Sequence, residues 1–323
     1  MALIYIARQI PEVGLAALRA AGHELVISEK DGVLTHEELL EAISVRPYEG
    51  LVSLLTDTID ESVFAAAPSL RIVANYAVGY NNINLADTKV HSIAVTNTPG
   101  VLTSSVAEFT LALMFAIVKR IPEADRFTRA GRFDGWAPEL LLGADLRGKT
   151  LGIVGAGRIG YEVALAAHHG LGMNIVYHDP KVSEILEANV PATFHATLES
   201  LLPVADVVSI HVPLLPATHH MMNAERLALM KPSAYLINSA RGPIIDETAL
   251  ISALQTGVIR GAALDVFEAE PTIAPALLAL DNVVATPHIA SATIETRDKM
   301  ALMVAQNINE FFEGATPSNL VTE

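Results

Sequence analysis

The sequence contains no cysteine, and this absence excludes several kinds of chemistry at once. Disulfide frameworks, thiolate zinc sites and cysteine nucleophiles all require a residue that the chain does not have. Nor does a basic segment followed by an apolar run open the sequence. We therefore expect no export signal and a cytoplasmic location.

Positive charge and long apolar runs are also scarce. The chain has 21 Lys and Arg against 36 Asp and Glu, a net charge of −15, and its basic residues are scattered. Such a surface repels phosphate backbones and anionic lipids, so we expect no nucleic-acid and no membrane partner. The longest purely apolar stretch, Leu111 to Val118, is far shorter than the roughly 20 residues of a membrane-spanning helix and indicates a buried helix.

What the chain does have is a regular alternation of strand-like and helix-like segments. Short runs rich in Val, Ile and Leu alternate with segments of helical period, which is typical of βαβ units around parallel sheets. Thr35 followed by Glu38 has the spacing of a capping box and predicts a helix start. With 323 residues, the sequence predicts an α/β fold of two domains. The expected strands are Leu3–Ala7, Leu25–Ser28, Leu51–Leu54, Ile72–Asn75 and Ala94–Thr96, then Leu151–Val154, Ile175–His178, Val207–His211, Tyr235–Asn238, Ala262–Asp265 and Val283–Ala285.

A break in this pattern separates the two domains. A Pro-Gly pair follows the fifth expected strand, and Ser105 with Glu108 forms a second capping-box spacing ahead of a long apolar helix. We place one domain at residues 1–99 and the other at 100–288, whose six expected strands suffice for a doubly wound sheet. The helical segment in 289–323 is expected to complete the first domain.

A glycine-rich turn follows the first strand of the second domain. The segment Gly155–Gly160 reads Gly-Ala-Gly-Arg-Ile-Gly. In a Rossmann turn, the first glycine permits the tight turn, the second lets the backbone approach a pyrophosphate, and the third allows close helix–strand packing. Nineteen residues after Gly160 a strand ends at Asp179, whose carboxylate can accept from ribose hydroxyls and would repel the extra phosphate of NADP. These features favour NAD, although a tight turn and an acidic strand end also occur without a ligand.

Three further segments with polar residues each follow an expected strand. They carry Arg241, Glu270 and His288, and strand ends in an open α/β sheet face one crevice. An arginine grips a carboxylate bidentately, and a histidine can protonate a carbonyl oxygen as hydride reaches its carbon. A carboxylate on the other imidazole nitrogen fixes the tautomer and favours the protonated form. Taken singly, such an arginine is more often a surface ion pair, and a histidine beside proline is more often structural.

Together these segments are similar to a known family. GIVGAGRIG, YHDP, INSARG, ALDVFEAEP and TPHIASAT resemble the D-isomer-specific 2-hydroxyacid dehydrogenases, and ANYAVGYNNIN with WAPELLLGADLRGKT resembles their glyoxylate/hydroxypyruvate reductase branch. The resemblance implies two Rossmann-like domains, a flavodoxin-like substrate domain and a doubly wound parallel-sheet cofactor domain, with the active site in the cleft between them. It also implies hydride transfer between NAD(H) and a small 2-keto or 2-hydroxy acid, with glyoxylate and hydroxypyruvate as the first candidates.

The resemblance assigns roles residue by residue. Arg241 orients the substrate, Glu270 is the carboxylate partner, and His288 is the general acid and base. The expected cofactor-binding residues are Thr103, Gly155, Ala156, Gly157, Arg158, Ile159, His178, Asp179, Val212, Pro213, Thr218, Ser239, Ala240, Asp265 and Ala290. The expected substrate-binding residues are Leu55, Tyr76, Val78, Gly79, Trp136, Arg241 and His288. Among the substrate residues, the loop Tyr76–Gly79 should offer backbone amides to the carboxylate. Asp265 should contact the nicotinamide amide. Many members carry Gly where Ala290 stands.

Assembly is a separate expectation. The helix that starts near Ser105 has more apolar surface than one stripe, so part of it should pack against a second subunit, and the resemblance also implies a homodimer. Trp136 either reaches the active site of the partner subunit, as the resemblance suggests, or anchors its own loop. We expect no metal, because neighbouring histidines such as His168 and His169 or His219 and His220 point about 100° apart on a helix.

Other functions stay open on the sequence alone. A D-3-phosphoglycerate or D-lactate-type dehydrogenase would use the same motifs, but the substrate loop has no evident basic cluster for a phosphate. A non-catalytic dinucleotide sensor that binds protein partners would also retain much of this site. Turnover of NADH with a keto acid separates an enzyme from such a sensor.

Overall fold

A computed structural model describes residues 1–322 and divides the chain into two compact units. The first unit comprises residues 1–102 and the chain from Ala292 onward, and the second unit comprises Thr103–Ser291. Both divisions fall three residues after the positions 99 and 288 expected from the sequence (102 − 99 and 291 − 288).

The first unit is built on a sheet of five parallel strands in the order β2-β1-β3-β4-β5, the flavodoxin-like order. All five expected strands are present, each within one residue of its expected ends. The strands are β1 Leu3–Ile6, β2 Glu24–Ile27, β3 Gly50–Ser53, β4 Ile72–Asn75 and β5 Ala94–Thr96. The helices are α1 Glu12–Ala20, α2 His36–Ser44, α3 Glu61–Ala66, α4 Leu85–Val90 and, at the end of the chain, α13 Ile294–Phe312.

The second unit contains a sheet of seven parallel strands in the order β12-β11-β10-β9-β6-β7-β8. Its strands are β6 Thr150–Val154, β7 Asn174–His178, β8 Ala192–Phe194, β9 Val207–Ile210, β10 Tyr235–Asn238, β11 Gly261–Leu264 and β12 Val283–Ala285. Its helices are α5 Thr103–Val118, α6 Ile121–Arg129, α7 Arg158–Leu171, α8 Glu184–Asn189, α9 Leu198–Leu201, α10 Ala224–Leu229, α11 Glu247–Gln255 and α12 Pro275–Leu278, with a 3-10 turn at Gly242–Ile244.

Strand β8 is the element that the sequence pattern did not reveal, so the expectation of six strands was wrong. It has three residues, lies at the edge of the sheet and is only partly buried. A short edge strand does not need the continuous apolar run that identifies a buried parallel strand. The order β8-β7-β6-β9-β10-β11 is nevertheless the strand order of a Rossmann fold, and β12 extends it.

The two predicted helix starts have different outcomes. Thr35 caps α2 as expected: its Oγ1 accepts from Glu38 N at 3.2 Å, and the Glu38 carboxylate accepts from Thr35 N at 2.6 Å. Helix α5 begins at Thr103, so Ser105 lies inside it and the second capping-box prediction was wrong. The stretch after Ser105 is strongly apolar, and α5 packs it over strands β10, β11 and β12 of its own unit.

The last helix is part of the first unit and packs on α1. A Cβ on Gly14 would lie 2.5 Å from the carbonyl oxygen of Ala301, so only glycine permits this approach. Tyr76, which follows β4, donates from its hydroxyl to Arg297 O at 2.7 Å and ties the helix to the sheet. Within residues 1–322, no helix combines the length and apolar character needed to cross a membrane.

Candidate active site

His288 and Glu270 form the central contact of the candidate site. His288 Nδ1 lies 2.8 Å from Glu270 Oε2. A carboxylate can only accept, so Nδ1 carries the hydrogen of this bond and Nε2 is the nitrogen left to exchange a proton with a substrate. Glu270 follows β11, and His288 follows β12, the neighbouring strand of the sheet. The carboxyl ends of two adjacent parallel strands thus bring the two side chains together.

The carboxylate of Glu270 is held in its ionised form. Burial raises the pKa of this carboxyl, but the hydrogen bond and the charge of His288 outweigh burial and hold the pKa below its ordinary value. The backbone N–H of Phe267, which donates to Oε1 at 2.9 Å, and the charge of Arg241 act in the same direction. Burial lowers the pKa of the Arg241 guanidinium, and the negative charge of Glu270 opposes this effect. The three expected catalytic side chains therefore share one electrostatic environment.

Asn238 shapes the turn that carries Arg241. It ends β10, is fully buried, and its Nδ2 donates to Arg241 O at 2.9 Å while its Oδ1 accepts from Ala240 N at 3.0 Å. Ser239 Oγ contacts Thr110 Oγ1 at 2.8 Å. Asn238 was not among the expected site residues, because nothing in the sequence shows that its amide binds Ala240 and Arg241.

Asp265 holds the turn that carries His288. Its side chain is fully buried at the end of β11, where Oδ1 accepts from Thr286 Oγ1 at 2.6 Å and from Ile289 N at 2.9 Å. Oδ2 accepts from Ala290 N at 2.7 Å. The backbone of His288 has a left-handed φ of 55°, and its N–H donates to Asp265 O at 2.9 Å. The expected contact of Asp265 with nicotinamide stays a prediction, and it would have to coexist with these bonds.

The glycine turn fits a dinucleotide pyrophosphate. Gly155 has a φ of 97°, and a Cβ there would lie 2.8 Å from the backbone of His211. A Cβ on Gly160 would lie 2.1 Å from Gly155 O, so the helix packs tightly on the turn. A Cβ on Gly157 meets nothing within 4 Å, which leaves open space for another group to approach. Gly157 precedes α7 without a side-chain cap, so backbone N–H groups of the first turn can receive an anion.

Asp179 lies next to this turn. Its Oδ2 accepts from Ala156 N at 2.9 Å, and the side chain is half-buried after β7. His178, the last residue of β7, contacts His195 O through Nδ1 at 2.9 Å. Arg158 and Lys181 are exposed. The acidic strand end and the glycine turn are thus in direct contact in the structure, in addition to having the expected spacing in the sequence.

The other residues expected at the cofactor also belong to the second unit. Val212 and Pro213 follow β9, and Thr218 Oγ1 closes their turn by donating to Pro213 O at 2.6 Å and accepting from Leu215 N at 2.8 Å. Thr103 begins α5. Contact of these side chains with a cofactor stays a prediction.

The loop expected to bind a substrate carboxylate belongs to the first unit. Tyr76 N donates to Ser53 O at 2.7 Å, and its buried hydroxyl donates to Arg297 O, so contact of Tyr76 with a substrate stays a prediction. Val78 O accepts from Asn97 Nδ2 at 2.8 Å. For the backbone N–H groups of Val78 and Gly79, no acceptor is present among residues 1–322. These two amides remain available to a carboxylate.

Two asparagines that the sequence did not single out position this loop. Asn75 is fully buried at the end of β4, and its Nδ2 donates to Gly79 O at 2.9 Å. Asn82 Nδ2 donates to Leu54 O and Asp57 O, both at 3.0 Å. The segment around Leu55 is therefore tied to the loop that carries Val78 and Gly79. An asparagine at or beyond the end of a strand is the only signal in the sequence, and it is too common to identify such a role.

Trp136 lies in the second unit within residues 131–140, all of which are exposed. The side chain is 85% exposed, so it is not packed in the core of its own unit, and its contact with a partner subunit stays a prediction. Phe133 and Leu142 in the same segment are also more than half exposed. The histidine pairs are engaged with the chain: His168 Nδ1 contacts Met173 O at 2.9 Å. Among residues 1–322, no cluster of three or more potential metal ligands is present.

Comparison with known proteins shows similarity along the whole chain. The family model for the D-isomer specific 2-hydroxyacid dehydrogenase, NAD binding domain, matches residues 111–290. A glyoxylate reductase of Korarchaeum cryptofilum is 47% identical over 323 residues, which cover 99% of this chain and 96% of the relative. A crystal structure of a Thermus thermophilus protein has a TM-score of 0.92 at 41% identity, covering 99% of this chain and 100% of the other. An NADPH-dependent glyoxylate/hydroxypyruvate reductase of Sinorhizobium meliloti, in complex with NADP and malonate, has a TM-score of 0.85 at 33% identity, covering 99% and 97%.

Proposed function

The chain belongs to the D-isomer specific 2-hydroxyacid dehydrogenase family, and from this premise we propose that it reduces small 2-keto acids, glyoxylate and hydroxypyruvate first, with NADH. The observation that carries the proposal is the 2.8 Å contact between His288 and Glu270. It provides a polarised imidazole beside an arginine, which is what protonation of a carboxylate-bearing ketone requires.

The chemistry of the proposed reaction can be assigned to named groups. When bound, NADH supplies the hydride that adds to C2 of the keto acid. His288 donates the proton on Nε2 to the carbonyl oxygen, so that a 2-hydroxy acid and a neutral imidazole result. Glu270 stabilises the imidazolium before transfer and orients the ring. Arg241 binds the substrate carboxylate and polarises the carbonyl, which a permanently charged guanidinium does without exchanging a proton.

We propose NADH as the preferred donor because of Asp179. The residues Gly155–Gly160 and the first turn of α7 would hold the pyrophosphate, and the carboxylate beside Ala156 would accept from the adenosine ribose. The same negative charge disfavours the 2′-phosphate of NADPH. The Sinorhizobium meliloti reductase is NADPH-dependent, so the preference varies between members and needs its own measurement.

The test is steady-state oxidation of NADH with glyoxylate, hydroxypyruvate, pyruvate and phosphohydroxypyruvate. We expect turnover with the first two, and His288→Ala should lower kcat by about 10²- to 10⁴-fold because the proton donor acts in the transition state. Arg241→Ala should raise KM and lower kcat together. The control is Glu225→Gln, which changes an exposed carboxylate of the same unit and should leave both constants unchanged.

Three results would contradict the proposal in whole or in part. Tight NADH binding without turnover of any keto acid would indicate a dinucleotide-binding protein instead of an enzyme. A strong preference for phosphohydroxypyruvate would assign the chain to phosphoglycerate oxidation. Retention of wild-type kcat by His288→Ala would remove that residue from proton transfer while leaving the family membership intact.

We also propose that the chain forms a homodimer through the second unit. Ile121, Phe133, Trp136 and Leu142 expose 53%, 59%, 85% and 55% of their surface, and they lie within 22 residues (121 to 142) of one another in sequence. A group of large apolar side chains exposed in one segment is typical of a surface that a second subunit covers. Light scattering should report about twice the chain mass of 34.4 kDa.

A further inference from the structure

His220 contacts two segments of the second unit at the same time. Its backbone N–H donates to Pro243 O at 2.8 Å, and its Nε2 donates to the carboxylate of Glu268, with 2.7 Å to Oε1. The residue has a left-handed φ of 48°, an uncommon conformation for a side chain with a Cβ. A strained backbone that is held by bonds on both sides indicates a position that the surrounding structure specifies.

The two contacted segments are also bonded to each other. Glu268 Oε2 accepts from Glu247 N at 3.0 Å, and Glu268 N donates to Glu247 Oε2 at 3.2 Å. The backbone at Gly242 also lies very close to the backbone at Phe267, since a Cβ on Gly242 would lie 1.8 Å from Phe267 O. The carboxylate of Glu268 therefore serves both His220 and the Glu247 backbone, and its loss would weaken the whole junction.

Each of these segments carries one catalytic side chain of the proposed reaction. Arg241 immediately precedes Gly242, and Glu270 lies two residues after Glu268. Glu270 Oε1 also accepts from Phe267 N, so the backbone at this junction sets the position of the carboxylate that binds His288. Small displacements here would change the distance between the arginine and the acid–base pair.

We propose that His220 is a positioning residue that holds the Arg241 segment and the Glu270 segment in register; this inference rests on the function proposed above. It does not contact the reacting atoms. It also lies two residues after Thr218, so it joins the turn that follows β9 to both catalytic segments. A residue that links three segments in this way fixes the relative positions of the catalytic side chains. Catalysis is sensitive to displacements of such side chains by about 1 Å.

The neighbouring histidine provides a matched control. His219 stacks on His220 with ring centroids 4.0 Å apart, but its side chain is exposed. Replacing His219 with Ala removes an imidazole of the same size from the same turn without removing the bond to Glu268. His220→Gln is the conservative variant, because its amide nitrogen can take the place of Nε2 and donate to Glu268. Gln and Ala meet the same left-handed backbone at position 220, so their comparison isolates the hydrogen bond.

The experiment measures kcat and KM with glyoxylate, the Kd of NADH, and hydrogen–deuterium exchange of residues 242–247 and 266–271. His220→Ala should lower kcat about tenfold or more, change KM and Kd by less than about threefold, and speed exchange in both ranges. His220→Gln should recover most of the lost kcat. His219→Ala should match the wild type in all four measurements.

The outcomes separate this inference from the proposed function. If wild-type protein does not turn over, the proposed function fails, and the exchange rates alone then decide whether His220 fixes the two segments. The inference is overturned if His220→Ala keeps kcat within about twofold of the wild type, or if it leaves exchange unchanged in both ranges. Equal loss of kcat in His220→Ala and His220→Gln would also overturn it, because the hydrogen bond would then not be the cause.

Discussion

The carboxylate of Asp265 accepts a hydrogen bond from the backbone N–H of Ala290 at 2.7 Å, across 25 residues of sequence. It also accepts from Ile289 N and Thr286 Oγ1, and it is fully buried. Burial raises the pKa of this carboxyl, and the three bonds to the turn oppose the effect. Asp265 thus fixes the turn in which His288 has its left-handed backbone.

Asp265→Asn should therefore damage both stability and catalysis. The amide nitrogen would face an N–H donor, and one backbone group would lose its acceptor, at a cost of about 1–3 kcal/mol in the free energy of unfolding. We expect kcat with glyoxylate to fall about tenfold or more because His288 is less well held. Denaturant unfolding and steady-state kinetics measure the two effects. Asp281→Asn, at a side chain that is 85% exposed, is the control and should change neither.

Asp179 should control the choice between NADH and NADPH. The wild type is expected to have the higher kcat/KM with NADH, because the carboxylate would repel a 2′-phosphate. Asp179→Ser should reduce the ratio of the two kcat/KM values by roughly tenfold or more. The KM for NADH should also rise, because the bond from Ala156 N to the carboxylate is lost. Equal or better kcat/KM with NADPH in the wild type would show that the preference is not set in this way.

Glu270→Gln should move the pH dependence of keto acid reduction. The pKa of Glu270 lies below its ordinary value because the hydrogen bond and charge of His288 outweigh the effect of burial, so Glu270 is a carboxylate near neutral pH. A neutral amide would withdraw this stabilisation of the imidazolium. Reduction needs protonated His288, so the loss of activity at high pH should move to lower pH in the variant.

The reverse reaction, oxidation of the hydroxy acid, should show the opposite change in pH dependence. Oxidation of the hydroxy acid needs neutral His288, so Glu270→Gln should gain relative activity at low pH. The control is Glu225→Gln, whose carboxylate is exposed on α10 and should not move either profile. Identical profiles for wild type and Glu270→Gln would mean that another group sets the pH dependence.

Strands could be predicted from the sequence where burial at every position requires apolar residues. The partly buried strand β8 could not be predicted. Strands β3, β4, β9 and β10 are buried at every position, and their runs of Val, Ile and Leu identify them. Strand β8 alternates between half-buried and exposed positions, so its sequence has no such run. The start of α5 was placed too late because Ser105 and Glu108 have the right spacing for a cap but lie within a helix.

The candidate site could likewise be predicted from the sequence only in part. Chemistry restricts the acid–base and arginine positions to a few residue types in recognisable segments, and the structure brings Glu270 and His288 into contact. The bonds that hold those segments join residues far apart in sequence, such as Asn82 with Leu54 and Glu268 with His220. Their partners depend on the tertiary fold, and no local spacing predicts them.

Tyr76 offers a test of stability against pH. Its hydroxyl donates to Arg297 O at 2.7 Å, and burial raises its pKa from 10.0 to about 12. A phenol with a raised folded pKa binds its proton more tightly in the native state, so its contribution is complete below pH 10 and is lost as the pH rises from 10 to about 12. Tyr76→Phe should be about 1 kcal/mol less stable near pH 8, and this difference should shrink or reverse near pH 11.

Chemical unfolding of both proteins at several pH values measures this difference. Every other titrating group is common to the two chains, so their effects cancel in the comparison. Tyr48→Phe provides a second phenol for comparison in the same unit. Tyr48 is also buried with a raised pKa, so the stability difference between Tyr48→Phe and the wild type should change with pH in the same direction. A Tyr76→Phe difference that grows as the pH rises would contradict the role assigned to the Tyr76 hydroxyl.

Trp136 should affect the keto acid more than the cofactor. The indole is 85% exposed in an apolar segment, and a desolvated tryptophan at an interface commonly contributes a large share of binding energy. If the partner subunit's substrate site receives it, Trp136→Ala should raise KM for glyoxylate by about tenfold while the Kd of NADH stays nearly unchanged. Ile185→Ala, at a 62% exposed apolar residue on α8, is the matched control and should leave KM unchanged. Kinetics and light scattering on the same samples test whether a second subunit contributes to substrate binding. A wild-type monomer of 34.4 kDa with full activity would show that it does not, even with the dehydrogenase activity established.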